Sequence, residues 1–599
     1  MAIKFLQTKR SRIIAAAIVI PAVLLLVAAL VINRSLSPML ATKVRNAVIK
    51  ASDSLYRADF SDVQLHILQG KVMLYNVSLI PDTELYKRRI KLGTAPNNLI
   101  KLNARRIVVS EIHPFKLYFN KVIDIGRIAV NSPHIQVSYA LNHTKDTTDK
   151  DHRTAWQKLS KSFKSAHVGD IFLDNISFKY DDHSGNKVAV SEIKQMSLHA
   201  HDLLIDSATQ TDRTRFLYCK DVSGDVQNYS GRTANGLYTY SLKRLKLSTA
   251  TSKLIVTGFK FDPVEADVFF NKSRKDKFEV RLDSVQLNNF DILSYHKYRS
   301  LKAGSLIIRG GILDLHNNPN KINNYKDKLE TFPNVALYKL GMDLKIDTID
   351  IKKLNITYSE QGKKSHKTGT LVFANTSAQI GNVTTNANAL KTDSIATAKI
   401  STWFMGQGKL NINFRFNLRA RSAPYSFKGH LGPMPLPALN QITMPLAMVK
   451  ITEGTLKSYD FDIYGNAKVS RGHIALLYND VKVRLLRVND DNLLYSRKLI
   501  PTLFANLFII KHNNPDNPGE APRTFDVVYP RPKDSPFFKT AWTTMLKGLK
   551  PTMGLDEKTE SAVNKRMDDM NQKKKDRAQK RKDRAEKKKK KLWRSTMGG

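Results

Sequence analysis

Between Phe60 and Leu486, apolar and polar residues alternate in short runs that recur every 8–15 residues, separated by Gly, Asn, Asp and Lys. The clearest run is Leu410, Ile412, Phe414, Phe416 and Leu418, interleaved with Asn411, Asn413, Arg415, Asn417 and Arg419. A period of two sends the two sets to opposite faces of a pleated strand, so this run predicts a half-buried antiparallel strand. Val63 and Leu65, then Val72, Leu74, Val77 and Leu79, predict the same near the start. Helical spacing appears in three places. Val44, Ala47, Val48, Ala51 and Leu55 share a face within Ala41–Tyr56, and Leu499, Ile500, Leu503, Phe504, Leu507 and Phe508 share one within Lys498–Lys511. In the third, Phe538, Trp542, Met545 and Leu549 form a stripe flanked by Lys539, Lys547 and Lys550. There Ser535 is the expected N-cap, Pro536 the first helical residue and Gly548 the stop. The fold class is mainly β with a few short amphipathic helices.

The pattern repeats. Asp124–Tyr139 matches Lys302–Asn317 at an offset of 178, pairing Gly126 with Gly304, Ile128 with Leu306, Val130 with Ile308 and Ile135 with Leu313. Ile171–Tyr180 matches Ile349–Tyr358 at the same offset, pairing Phe178 with Ile356. The apolar phase slips from odd to even between Leu173 and Ile176, and again between Ile351 and Leu354. A matching slip implies the same bulge in two copies of one unit. Upstream, Val63–Asp82 resembles Leu245–Val264 at an offset of 182.

The N-terminus bears on location. Lys4, Lys9, Arg10 and Arg12 precede twenty uncharged residues, Ile13 to Ile32, including Ile14, Leu24, Leu25 and Leu26. Twenty residues at about 1.5 Å each match the thickness of a bilayer core. The run exceeds a signal-peptide apolar region, and no small-residue cleavage site follows it, so an uncleaved anchor is expected. The basic flank then stays in the cytoplasm, which places the bulk of the chain in the periplasm of a bacterium with two membranes.

Composition changes the picture in three ways. Lys and Arg number 97 against 53 Asp and Glu, a net charge of +44, which suits anionic partners. Periplasmic placement turns that charge towards lipid headgroups and away from nucleic acid. The segment Lys573–Arg594 holds fourteen cations and three acids, among them Lys573, Arg577, Lys580, Arg584 and Lys588. It lacks the apolar residues to build a core and reads as a solvated arm or a binder of anionic headgroups. The one cysteine, Cys219, excludes an intramolecular disulfide framework and a multi-thiolate metal site. His199, His201 and Asp202 are too few for a metal assignment, and no nucleophile, zinc or phosphate-loop motif occurs. No cofactor and no enzymatic activity are expected.

A long apolar sheet face must be covered, by a second layer or by a ligand. Phe414, Phe416, Phe178 and Ile308 suit a lipid-lined trough and a dry sandwich core equally. The anchor, the stretch Phe60–Leu79 and the late pattern of Gly454, Gly465, Gly472 and Tyr478-Asn-Asp-Val resemble the AsmA-like family of Gram-negative envelope proteins, grouped with TamB and YhdP. The segment from Ser535 to Pro551 is similar to the closing segment of Bacteroidetes-type members. The resemblance covers roughly Ile13–Leu549 and rests on the order of weak motifs. It implies an N-terminal transmembrane helix followed by an elongated, repeating, twisted antiparallel β-groove, folded like a taco. Such a groove conducts phospholipid between inner and outer membranes and supports outer-membrane integrity. The groove candidates are Ile128, Val130, Phe178, Leu306, Ile308, Leu313, Leu410, Ile412, Phe414, Phe416 and Leu418. The helix bearing Phe538, Trp542, Met545 and Leu549 lies in a membrane interface or plugs the trough end. The expected partners are phospholipid, an anionic membrane surface and an outer-membrane or periplasmic protein. The competing readings are an assembly scaffold for outer-membrane proteins and a polyanion-binding β-solenoid. The expected segments are a cytoplasmic 1–12, an anchor 13–32, a first β unit 33–242, its duplicate 243–400, a C-terminal β unit 401–490, amphipathic helices 491–555 and the basic tail 556–599.

Overall fold

A computed structural model describes most of residues 39–553 and scattered positions from 561 to 584. Residues 1–38, 143–153, 321–326, 489–494, 498–510, 554–560 and 585–599, with a few shorter gaps, lie outside the described residues. The expected anchor, the apolar face of 498–511, Lys573 and Lys588 therefore fall outside them. Among the described residues no helix is long and apolar enough to cross a membrane.

The chain is mainly β and forms two compact units. The first runs through Ser273 and adds Lys277–Leu313 and Met342–Asp350; the second holds Arg274–Asp276, Asp314–Gly341 and the chain from Ile351 onward.

The first unit begins with β1 (Tyr56–Asp59), β2 (Asp62–His66), β3 (Lys71–Pro81), β4 (Asn98–Ile112), β5 (Val122–Asn131) and β6 (His134–Tyr139). It continues through β7 (Ser165–Asp182), β8 (Ala189–Ile205), β9 (Cys219–Arg232), β10 (Tyr238–Ser248), β11 (Lys253–Pro263) and β12 (Lys277–Asn288). β1 and β2 both pair with β3, and β3 pairs with β4, all antiparallel. β4 takes β5 along one half and β6 along the other. β7 to β12 follow as an antiparallel meander.

One pairing departs from the antiparallel expectation. β7 runs parallel to β5 and β6, with Val122 opposite Ser165 and Tyr139 opposite Asp182. Residues 140–164 carry the chain back to the starting end, as a parallel pair requires. A period of two is the same for parallel and antiparallel neighbours, so alternation could not reveal it.

The crossover recurs. Leu301 donates its N–H to the Asp343 carbonyl at 2.8 Å, and Thr348 donates its hydroxyl to Gly304, so β13 (Leu301–His316) meets the start of β14 (Leu344–Gln361) in parallel. Backbone departures recur with it. Glu111, Lys121, Ser132 and Asn175 have positive φ, and so do Asn289, Arg299, Gly310 and Lys353, each 178 residues later (289 − 111). Asn76 and Gly258 add a fifth pair at 182. The phase slip at Leu173/Ile176 is a register shift in the β7–β8 ladder around Asn175. One such pair leans over a glycine on the next strand in both copies: a Cβ on Gly126 would strike Glu111, and one on Gly304 would strike Asn289. The paired glycines of the repeat are therefore close-approach sites.

The second unit holds β15 (Thr368–Thr384), β16 (Ile395–Phe404), β17 (Gly408–Asn417), β18 (Tyr425–Leu431), β19 (Met434–Pro435), β20 (Val449–Gly465), β21 (Val469–Val488), β22 (Tyr495–Arg497) and β23 (Thr524–Pro530). β15 to β18 pair in sequence, β18 and β19 pair with β20, and β21 joins β20 to β23 and β22. Its inner face is a dry core. Phe416 opposes Ala396 and Tyr425, while Phe414 opposes Ala398 and Phe427. The helix Phe537–Thr552 lies on β21 and β23 and lowers Phe537 into this face, 5.5 Å from the Phe416 ring and 5.2 Å from Tyr425. Phe332 meets the same ring at 5.3 Å from the Leu329–Leu340 side. Arg531 ties the cover down, donating to the carbonyls of Ala467 and Ser535 and to the Asp327 carboxylate.

Two details of that helix differ from expectation. Pro536 is the N-cap, not the first helical residue, and Gly548 does not stop the helix, which runs to Thr552. Gly548 is a contact position instead, since a Cβ there would strike Ile474. Thr540 and Thr544 are buried beside it, their hydroxyls satisfied by the carbonyls of Pro536 and Thr540. Small residues bring the helix close to the sheet.

Replacing Phe537→Ala removes the ring that five aromatic neighbours share. The second unit should lose about 3–5 kcal/mol of stability, read as a lowered denaturation midpoint; an unchanged midpoint would show that the helix is not its cover.

Candidate functional site: the apolar floor of the first unit

The cross-strand registers align the apolar residues of the first unit into rows. One row runs Leu74, Ile107, Val130, Leu173 and Leu198 from β3 to β8. It continues through Gly224, Leu247, Leu254 and Leu287 to β12. A second row joins Val72, Val109, Ile128, Ile171, Ala200 and Val222, and a third joins Leu79, Leu102, Ile135, Phe178 and Ile193. Nine strands' width at about 4.8 Å per step makes a floor about 40 Å across the strands.

This floor is not a dry core. Of the first row only Leu287 is buried; the other side chains are half-buried. The two buried clusters that gather around strands of this unit, Leu237/Tyr238/Phe269 and Leu287/Phe290/Ala303, sit at strand ends. A half-exposed Leu or Ile retains apolar surface in water, at about 25 cal/mol per Å².

The opposite face is polar and charged. Asp170 Oδ1 lies 3.0 Å from both His199 Nε2 and His201 Nδ1. His167 stands between Asp124 at 2.9 Å and Asp202 at 3.3 Å, and Asp202 accepts from Arg215 at 2.9 Å. The His199 bond first and the His201 bond second hold the Asp170 carboxyl below its usual range, against the opposing effect of burial. The His-Ala-His-Asp run thus divides into two separate ion-pair networks. Among the described residues no group of three or more His, Cys, Asp or Glu is arranged to hold a metal. Burial pushes the Cys219 thiol up, away from nucleophilic character.

The sequence candidates divide between two environments. Ile128, Val130 and Phe178 stand on the open floor. Leu306 packs beside Leu287 and Ala303, and Ile308 and Leu313 are half-buried on β13. Leu410, Phe416 and Leu418 are buried in the covered core of the second unit, and Ile412 and Phe414 pack against it. Phe538 and Trp542 face outward from their helix, whereas Met545 and Leu549 pack inward. Arg577, Lys580 and Arg584 are helical and exposed. Sequence reasoning did not name Leu173, Leu198, Leu247 and Leu254 as floor residues; only the strand register shows that they form one row.

No protein-family model matches the chain, and no curated protein matches it.

Because the floor is open, Leu198→Ala should lower stability by less than about 1.5 kcal/mol, whereas Leu456→Ala in the covered core should cost about 2–5 kcal/mol. Equal losses in urea titrations would mean that the floor is as covered as the core. Asp170 has a lowered folded pKa, so its stabilisation is present above the unfolded value, about pH 4. It is lost as pH falls through the folded value. The difference in stability between the native chain and Asp170→Asn should therefore be fully present above about pH 4 and shrink towards pH 2. A gap that does not vary with pH would refute this pairing.

Proposed function

We propose that this chain is an inner-membrane-anchored periplasmic protein whose first unit binds phospholipid along its apolar floor and conducts it between inner and outer membranes, in support of outer-membrane integrity. The observation that carries this reading is the apolar row spanning β3 to β12 with its side chains only half-buried. An acyl chain in water costs about 0.8 kcal/mol per CH₂, on the order of 10 kcal/mol per chain. Laying it on the floor removes apolar surface of both partners from water. An acyl chain spans about half of the ~30 Å bilayer core, so a floor about 40 Å across the strands is continuous over more than one chain length. Headgroups stay in water along the open side, and movement needs no chemical step.

The rest of the chain fits this reading by what it adds. The run Ile13–Ile32 serves as the anchor at the donor membrane. The outward-facing Phe538 and Trp542, with Lys539 beside them, suit a membrane interface. Arg577, Lys580 and Arg584 present cations to anionic headgroups. The order of motifs suits an AsmA-like protein of the Bacteroidetes type. The inner face of the second unit is covered by its own chain, so the residues proposed to conduct lipid are those of the first unit.

The test is photo-crosslinking in intact cells, with a diazirine amino acid replacing Val130 or Phe178 on the floor, His201 or Lys246 on the polar face, or Phe416 in the covered core. Phospholipid adducts are expected at Val130 and Phe178 only. Adducts to protein alone at the floor positions would refute lipid conduction and favour an assembly scaffold.

A further inference from the structure

The helix Pro114–Asn120 between β4 and β5 exposes three aromatic rings: Phe115 is 76% exposed, Tyr118 74% and Phe119 72%. Phe115 stacks on Phe119 at 6.4 Å, and Tyr118 sits edge-on to Phe119 at 5.1 Å. The helix Thr83–Lys91 between β3 and β4 ends in Ile90 and Leu92, the latter 76% exposed. Lys87, Arg88, Arg89 and Lys91 surround that pair. The two helices flank the two ends of one strand, β4, at the N-terminal edge of the sheet.

The internal repeat supplies a control. The helix Ile292–Tyr298 occupies the equivalent place 178 residues later and ends in the same left-handed residue, Arg299 for Lys121. There, Phe115, Tyr118 and Phe119 are replaced by Leu293, His296 and Lys297. The sheet's connection therefore does not require the aromatic rings. At those three positions they occur only in the copy nearer the N-terminus; the second copy carries Tyr295 and Tyr298 instead, the latter 58% exposed.

That end of the sheet is held close to the apolar run. Only residues 33–38 separate Ile32 from helical positions that begin at Met39, a reach of at most about 20 Å. Arg45 of this helix bonds the Asp59 carboxylate at 3.2 Å and covers the Phe60 ring at 4.4 Å. Arg89 bonds the Asp53 carbonyl at 2.7 Å, tying the Thr83–Lys91 helix to the chain that leaves it.

We infer that the N-terminal edge of the sheet docks on the interface of the anionic bilayer that holds the anchor, inserting Phe115, Tyr118 and Phe119 at one end of β4 and Ile90 and Leu92 at the other. Aromatic rings favour the headgroup level, and the flanking cations meet anionic headgroups. Lys121 and three cations of the Thr83–Lys91 helix, Arg88, Arg89 and Lys91, supply them; Lys116 is already paired with Asp124 and Lys87 with Glu84. Two contacts at the ends of one strand set β4 along the membrane plane and stand the row of strands away from it. The floor then begins at the bilayer. This inference rests on the anchor reading given above.

The test uses the full chain with Cys219→Ser and a single Phe119→Cys or Lys297→Cys, labelled with an environment-sensitive fluorophore. The protein is reconstituted in vesicles of phosphatidylethanolamine and phosphatidylglycerol, with or without chain-attached nitroxide lipid, and floated. The label at 119 should be quenched about twofold and the label at 297 unchanged. Co-flotation with equal signals at the two sites would overturn the docking and leave the anchor standing. Failure to float would remove the anchor and the docking together.

Discussion

An apolar sheet face must be taken out of water, and the two units of this chain meet that requirement differently. In the second unit the chain supplies its own cover. Phe537 and Phe332 enter the face from two segments, and the sheet residues beneath them are buried. In the first unit the apolar rows are as continuous, yet the described helices gather at strand ends and the middle of the floor remains half-exposed. Half-buried Leu, Ile and Val run in register across this floor, and a contiguous apolar face of this kind marks an interaction site. The lipid reading follows from this contrast within one chain, where the same alternation leads to two outcomes.

Closing the second unit depended on small residues. A helix lying on a sheet with large side chains between them leaves gaps; Gly548, Thr540 and Thr544 let this one approach until Gly548 meets Ile474. The buried hydroxyls of Thr540 and Thr544 bond back to carbonyls one turn earlier, so neither is left unpaired by the approach. Arg531 does the same at the helix's start, spending its donors on three carbonyls and a carboxylate. Among the described residues no buried cluster takes in Leu173 or Leu198.

Much of this was legible in the sequence. The run Leu410–Leu418 is the strand Gly408–Asn417, and the shared phase slip near Leu173 is a ladder shift at a positive-φ residue. Both are local, set by side-chain period and by the one extra residue of a bulge. What was not legible is non-local. Phe178 and Phe416 belong to identical alternating patterns, and only tertiary packing decides that one is open and the other covered. The parallel β5/β6–β7 pairing is invisible to a period of two. Gly548 read as a stop because a glycine late in a helix has that meaning when the helix is isolated; against a sheet its missing side chain is the useful property.

The repeat separates what the sheet needs from what the site needs. Five backbone departures and a pair of close-approach glycines are kept between copies although few side chains are identical. Those features hold strand register and bulge geometry, and a sheet cannot lose them without turning its apolar rows over. Side chains on the connecting helices carry no such constraint. Where Phe115, Tyr118 and Phe119 face Leu293, His296 and Lys297 across the duplication, the backbone is the same and the surface chemistry differs. Exposed rings add nothing to the stability of a sheet that forms as well without them, and they add apolar surface to water. Their presence at these three positions in one copy only is therefore better assigned to what that end of the sheet touches than to how the sheet folds.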